Sequence, residues 1–367
     1  MSDKQVQKAG DNSQQVQVEQ VTVYNGITEQ RAREIFSEMN AVARQSYTED
    51  AYALAFKRVS LFEELLMSKI EKVDGLLEAF GDPSFQFLLT DAQKRAAASE
   101  RGADYEMLTE LLVNRVQNND DRKNKASIAK AVSIIDQVDD DALCALTISN
   151  VLNAFGPSSG NITEGLKTMA DLFDELCYME LPTGSEWIYH LDILDAVRIS
   201  TLGNFRKFND YYPQLLDGYT CVGIPKETDT YMKAVQLLSE TELPIGILTD
   251  HELLDGYVRL NIRDRSLITD RIVPIEYTEG QIIVPNEKEI EVLNDIWSLY
   301  STENKLHEQV KESFIARWDE HKSLQRIHLW RDSIPTSFSI TPIGRVLAHA
   351  NAQRYSKSIP AFNGLYQ

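Results

Sequence analysis

Cysteine is scarce in this 367-residue chain, and its three copies, Cys144, Cys177 and Cys221, lie far apart within apolar helical patterns. An odd count with no Cys-x-x-Cys argues against a disulfide framework and reads as reduced core residues of a cytosolic protein. Positive charge is also in deficit. Lys and Arg number 37 against 56 Asp and Glu, a net charge of −19 with a pI near 4.8. Such a chain repels phosphate backbones, so nucleic acid is a poor first partner. No apolar run approaches the ~20 residues of a spanning helix, and the first 25 residues lack the basic, apolar and small-residue succession of a signal peptide. A cytoplasmic protein with no membrane partner is expected. The six histidines form no His-Glu-x-x-His, no Glu-x-x-His and no Cys/His cluster, so neither a metal site nor a cofactor is expected. Gly-x-Ser-x-Gly is missing as well, and with it any named reaction.

What is present is a folding chain. Hydrophobic residues at 43% and charged residues at 25% are ordinary for soluble domains, and the length suggests two or three of them. From Ile27 onward apolar residues recur every three or four positions. Thr28 caps a first helix carrying Ala32, Ile35, Phe36, Met39, Val42 and Ala43. A longer one follows through Leu54, Phe62, Leu65, Leu66, Ile70, Val73, Leu77 and Phe80. Gly81-Asp82-Pro83 stops that helix and starts the next, because Asp caps and Pro is preorganised for the first helical position. Further helices are expected at roughly 104–117, 122–137 and 141–155, joined by short polar turns that suit antiparallel neighbours.

These patterns divide the chain into a leader at 1–26, a helical bundle domain at 27–155 and a Gly/Pro/Ser linker at 156–161. A second helical region follows at 162–243, interrupted near Leu181-Pro182-Thr183-Gly184 and Tyr212-Pro213, and then a mixed α+β domain at 244–367. In the last, Tyr257–Ile262, Arg271–Tyr277 and Gln281–Val284 read as strands, the latter two as a hairpin. Asn286 caps a helix, another starts near Thr302, and a short strand at Ser337–Ile340 precedes a helix opened by Thr341-Pro342. The expected fold is mainly α: an N-terminal β segment, a helical bundle body and a small α+β C-terminal domain of winged-helix type.

Several local patterns invite chemistry. Gly160-Asn-Ile-Thr-Glu-Gly165-Leu-Lys167-Thr168 falls short of a phosphate-binding loop, since Leu166 separates Gly165 from Lys167 and the preceding stretch reads as helix. His251 with Glu252 and Asp255, and His190 with Asp192 and Asp195, could each form an acid–base group, yet such clusters arise by chance among so many acids. His321 and His328 are two turns apart if one helix carries both. Asp264-Arg265, Arg271, Arg326, His328 and Arg331, with Trp330, concentrate positive charge near the C-terminus, as a DNA-binding winged helix would need.

The leader is the most informative stretch. Val16 and Val18, then Val21 and Val23, alternate with period two, with a slip at Glu19-Gln20 that a bulge would absorb. A lone strand leaves its backbone unpaired, so it must be disordered, dock on the body or pair with copies of itself. Glutamines ladder in register and valines pack dry faces. Self-pairing through Gln14, Gln15, Val16, Gln17, Val18, Gln20, Val21 and Val23 is therefore the expected source of a homo-oligomer.

Here the residues meet a resemblance. Gly10–Gln17 (GDNSQQVQ) followed by Tyr24–Ile35 (YNGITEQRAREI) resembles the leader of an uncharacterised bacterial protein family, and similar Asn/Gln-rich leaders occur in bacterial conflict and phage-defence proteins. Ser339–Ala350 (SITPIGRVLAHA) resembles that family's strand-to-helix ending, and Asp82–Gln86 matches more loosely. The resemblance implies no activity and no catalytic residues. The resulting expectation is a non-enzymatic, self-associating scaffold or sensor in bacterial antiviral defence, with a possible protein partner. Two rivals stand beside it: an enzyme whose site the sequence does not expose, and a winged-helix DNA-binding regulator.

Overall fold

The computed structural model describes residues 27–44, 49–117, 121–157, 159–200, 205–268, 275–278 and 281–362. The whole proposed self-pairing segment, Gln14, Gln15, Val16, Gln17, Val18, Gln20, Val21 and Val23, lies outside the described residues, as does Arg271. The described chain is mainly α with small sheet elements.

The helices are α1 (Glu29–Arg44), α2 (Glu49–Ile70), α3 (Leu76–Ala79), α4 (Pro83–Ala98), α5 (Gly102–Gln117), α6 (Arg122–Ile134), α7 (Asp140–Ala154), α8 (Ile162–Leu176), α9 (Glu186–Ile193), α10 (Phe208–Leu215), α11 (Asp217–Thr220), α12 (Asp229–Glu240), α13 (Glu287–Trp297), α14 (Asn304–Asp319), α15 (Lys322–Ser333) and α16 (Pro342–Tyr355). The strands are β1 (Val197–Ile199), β2 (Ile224–Pro225), β3 (Leu248–Asp250), β4 (Tyr257–Leu260), β5 (Ile275–Thr278), β6 (Gln281–Ile283) and β7 (Phe338–Ile340).

Local chemistry sets many of these boundaries. Asp82 accepts a hydrogen bond from the Ser84 amide at 2.9 Å with Pro83 at the first helical position. Asn286 and Glu289 form a reciprocal capping box on α13. Thr341 accepts from the Gly344 amide at 3.1 Å to start α16. The break expected near Tyr212-Pro213 falls at Leu216: Pro213 sits inside α10, which ends at Leu215, and α11 begins at Asp217.

Among the described residues the strand pairs are antiparallel. β1 pairs with β7 in the register Val197–Ile340, Arg198–Ser339 and Ile199–Phe338. β4 is flanked by β2 and β3, and β5 pairs β6 with a register irregularity between Glu276 and Thr278.

The largest core runs from Ala32 to Tyr219 and resumes from Phe314 to Phe362. A separate core, from Ile224 to Ile296, belongs to the small sheets with α12 and α13. α7 is buried on every side from Ala142 to Leu152, the mark of a central helix. Against it, α5 and α6 packs α16, a helix that the sequence groups with the mixed C-terminal segment. Small side chains at Ala348, Ala350 and Ala352 let it approach closely. Gly344 lies so near the chain entering β1 that a Cβ there would stand 2.0 Å from the Ala196 carbonyl oxygen.

Candidate functional site

The first acid–base group is assembled in space as a brace. β4 carries Arg259, whose side chain is 0% exposed. Its guanidinium reaches both oxygens of Glu252, at 3.2 Å to Oε1 and 2.8 Å to Oε2. It also donates to the carbonyls of Gly160 at 2.8 Å, Leu260 at 3.1 Å and Ile262 at 3.3 Å, and it lies 5.5 Å over the Tyr219 ring. Glu252 Oε1 takes a further hydrogen bond from the Ile162 amide at 2.8 Å, at the start of α8. Pairing of this degree offsets the cost of taking the cation out of water.

Beside it, His251 is buried. Its Nδ1 accepts from the Leu253 amide at 3.1 Å, so Nε2 carries the proton and donates to the Cys221 carbonyl at 2.7 Å. Burial lowers its pKa. Both ring nitrogens are committed to backbone and both carboxylate oxygens to Arg259, while Asp255 is exposed. The group therefore ties the residues around 160, 219, 252 and 260 together.

The second acid–base group does not converge. His190 Nε2 accepts from the Asp139 amide at 3.2 Å, Asp192 Oδ1 accepts from the Ile199 amide at 3.2 Å, and Asp195 pairs with Arg198 at 2.6 Å. The glycine-rich stretch at 160–168 is a connector and helix start: Asn161 caps α8 by accepting from the Glu164 amide at 2.9 Å. A Cβ at Gly160 would stand 2.0 Å from the Asn261 carbonyl oxygen. His321 is the N-cap residue of α15 and His328 lies within that helix, so the two stand about two turns apart.

Much of the C-terminal positive charge turns inward. Arg326 donates to the Met179 carbonyl at 2.6 Å. His328 Nδ1 lies 2.9 Å from Asp319, Trp330 donates to the Pro182 carbonyl at 2.9 Å, and Arg331 is buried among aromatic rings. Arg265 lies 5.6 Å over the Trp297 ring. These side chains bind their own fold.

A cleft of about 540 Å³ opens where α10 and α11 face the end of α13 and the start of α14. Asp217, Arg265, His307, Glu308 and Lys311 line it with both signs of charge, and Trp297 and Tyr300 supply aromatic surface. Asp217 Oδ1 accepts from the Arg265 amide at 2.7 Å, and burial raises this carboxyl above its ordinary range. Burial pushes the Cys221 thiol up to about 12, and its Sγ donates to the Gly218 carbonyl at 3.3 Å. Tyr300 is raised far above its ordinary value for the same reason, and its hydroxyl accepts from the Leu260 amide at 2.7 Å. A thiol held neutral is a poor nucleophile. The cleft can therefore bind a small polar or aromatic group and offers no activated attacking atom among these floor residues.

Nothing in the sequence marks Arg259, because an arginine within a strand such as Tyr257–Ile262 is ordinarily solvated. It missed the cleft because its walls come from segments nearly a hundred residues apart.

A family model whose description, ":-like", names no activity matches residues 26–362. The C-terminal stretch Ser339–Ala350 falls inside that span and Gly10–Gln17 outside it. No curated protein and no solved structure matches the chain.

Proposed function

The chain belongs to that ":-like" family, and from this premise we propose that it is a non-enzymatic, self-associating scaffold or sensor that works by contact in the bacterial cytosol. The observation that supports a contact role is the brace: Arg259, Glu252 and His251, the nearest approach to an acid–base site, spend their hydrogen bonds on each other and on backbone. Self-association rests on the period-two Val/Gln pattern of Gln14–Val23, whose backbone needs ladder partners. Joined copies would meet at high effective concentration, so weak surface contacts could assemble them further. The 540 Å³ cleft is then the natural input site of a sensor. A role in antiviral defence rests on the resemblance of the leader to those of conflict proteins.

Deleting residues 1–25 is expected to leave the helical circular dichroism signal intact while lowering the mass in light scattering. A mass unchanged by the deletion counts against the proposal. Catalysis would instead require a cleft group with a free lone pair, and turnover abolished by Asp217→Asn would favour that reading.

A further inference from the structure

Arg331, in the last turn of α15, is 6% exposed, yet it forms no ion pair among the described residues, and its Nε–H has no hydrogen-bond partner. Its guanidinium carbon lies 4.5 Å from the Phe205 ring centre, 4.7 Å from that of Tyr211 and 5.9 Å from that of Tyr212. Ring faces and the helix C-terminus attract the positive charge, but neither gives the Nε–H an acceptor. Desolvation lowers the pKa of Arg331, and a guanidinium stays charged nonetheless.

The neighbouring carboxylate is already occupied. Asp332 Oδ1 accepts from the Phe208 amide at 2.7 Å, Oδ2 lies 3.7 Å from His328 Nε2, and its carbonyl accepts from Lys207. The surrounding rings are fixed in place. Tyr212 donates to the Leu152 carbonyl at 2.7 Å and Tyr211 to Asn153 Oδ1 at 3.3 Å, while Phe208 stacks on Tyr212 and Trp318 packs tilted against both. The result is a guanidinium walled by aromatic rings, with no carboxylate paired to it among the described residues.

We propose that Arg331 is the recognition group of an oxyanion site, taking a phosphate or carboxylate whose paired oxygens match the planar fork. This site is distinct from the cleft and does not depend on self-association.

The test is calorimetric titration of the full chain with inorganic phosphate and, separately, with acetate, at an ionic strength held constant by chloride. The expected result is one saturable site per chain for one of these anions, which identifies the phosphate or the carboxylate source. Arg331→Lys keeps the charge and loses the fork, so binding should weaken at least about tenfold. Tyr211→Leu keeps Arg331 and removes one wall, so it should weaken binding too, and it serves if the Arg331 variant does not fold. No saturable binding of either anion by the unmodified chain, or binding that the folded variants retain in full, overturns the proposal.

Discussion

A buried charge makes its neighbours indispensable. Arg259 is wholly enclosed, and Glu252, 19% exposed, supplies its counter-charge. Glu252→Gln leaves the cation partly uncompensated and is expected to lower the unfolding free energy by about 3 kcal/mol. Urea denaturation measures this, and a loss below about 1 kcal/mol would mean that the carbonyl acceptors alone satisfy the guanidinium. A second residue effect follows from His349, fully buried on α16, whose Nε2 donates to the Pro360 carbonyl at 3.0 Å. Burial lowers its pKa from 6.5 to about 4. The folded state therefore favours the neutral ring. Its contribution is complete above pH 6.5 and is lost as pH falls toward 4, because the unfolded chain takes the proton first. Between pH 6.5 and 5.5, still above the pI of 4.8, the loss is about 1 kcal/mol. His349→Gln should flatten that slope, and an equal slope in both proteins would remove His349 as its source. Neither role is legible in the sequence, since burial of a lone Arg or His depends on what packs over it.

At the level of elements, legibility follows how local the determinant is. The helix expected to follow Asn286 spans Glu287–Trp297, and the one expected near 122–137 spans Arg122–Ile134, because caps and apolar periodicity lie within a few residues of each other. Asn286→Ala breaks the capping box and is expected to cost about 1 kcal/mol, measured as a lower denaturation midpoint. A midpoint that does not move would mean that α13 is held by its packing on α12 alone. β1, β2 and β3 are only two or three residues long. They escape sequence reading because a run so short carries no alternation, and each is a strand only through its partner. The helical pattern breaks after Asp319, and His321 becomes the N-cap of α15, seven residues before His328 on that same helix.

On the scale of the whole molecule, the end of the chain completes its beginning. α16 fills the space between α5, α6 and α7, so ending the chain after Thr341 exposes the buried residues of α7 and should abolish the near-ultraviolet circular dichroism of the bundle. A truncated chain that kept its cooperative unfolding would show that the helical body closes without α16. Gly344→Ala is the point version of the same test. Its Cβ would meet the Ala196 carbonyl oxygen at 2.0 Å, which forces α16 away from β1, and a loss of about 2 kcal/mol is expected on the scale of overpacked sites. A variant as stable as the parent would show that the contact can relax.

The helical character of the chain, the sites of its best caps and the acidic surplus are already set by local sequence, because periodicity, capping and charge are properties of neighbouring residues and of sums. Packing between distant segments placed α16 in the bundle, set Glu252 and His251 around a buried Arg259, and enclosed Arg331 among aromatic rings. Those outcomes depend on which distant segments exclude water from a given side chain. Burial of that kind is a property of the assembled core, and no window of sequence contains it.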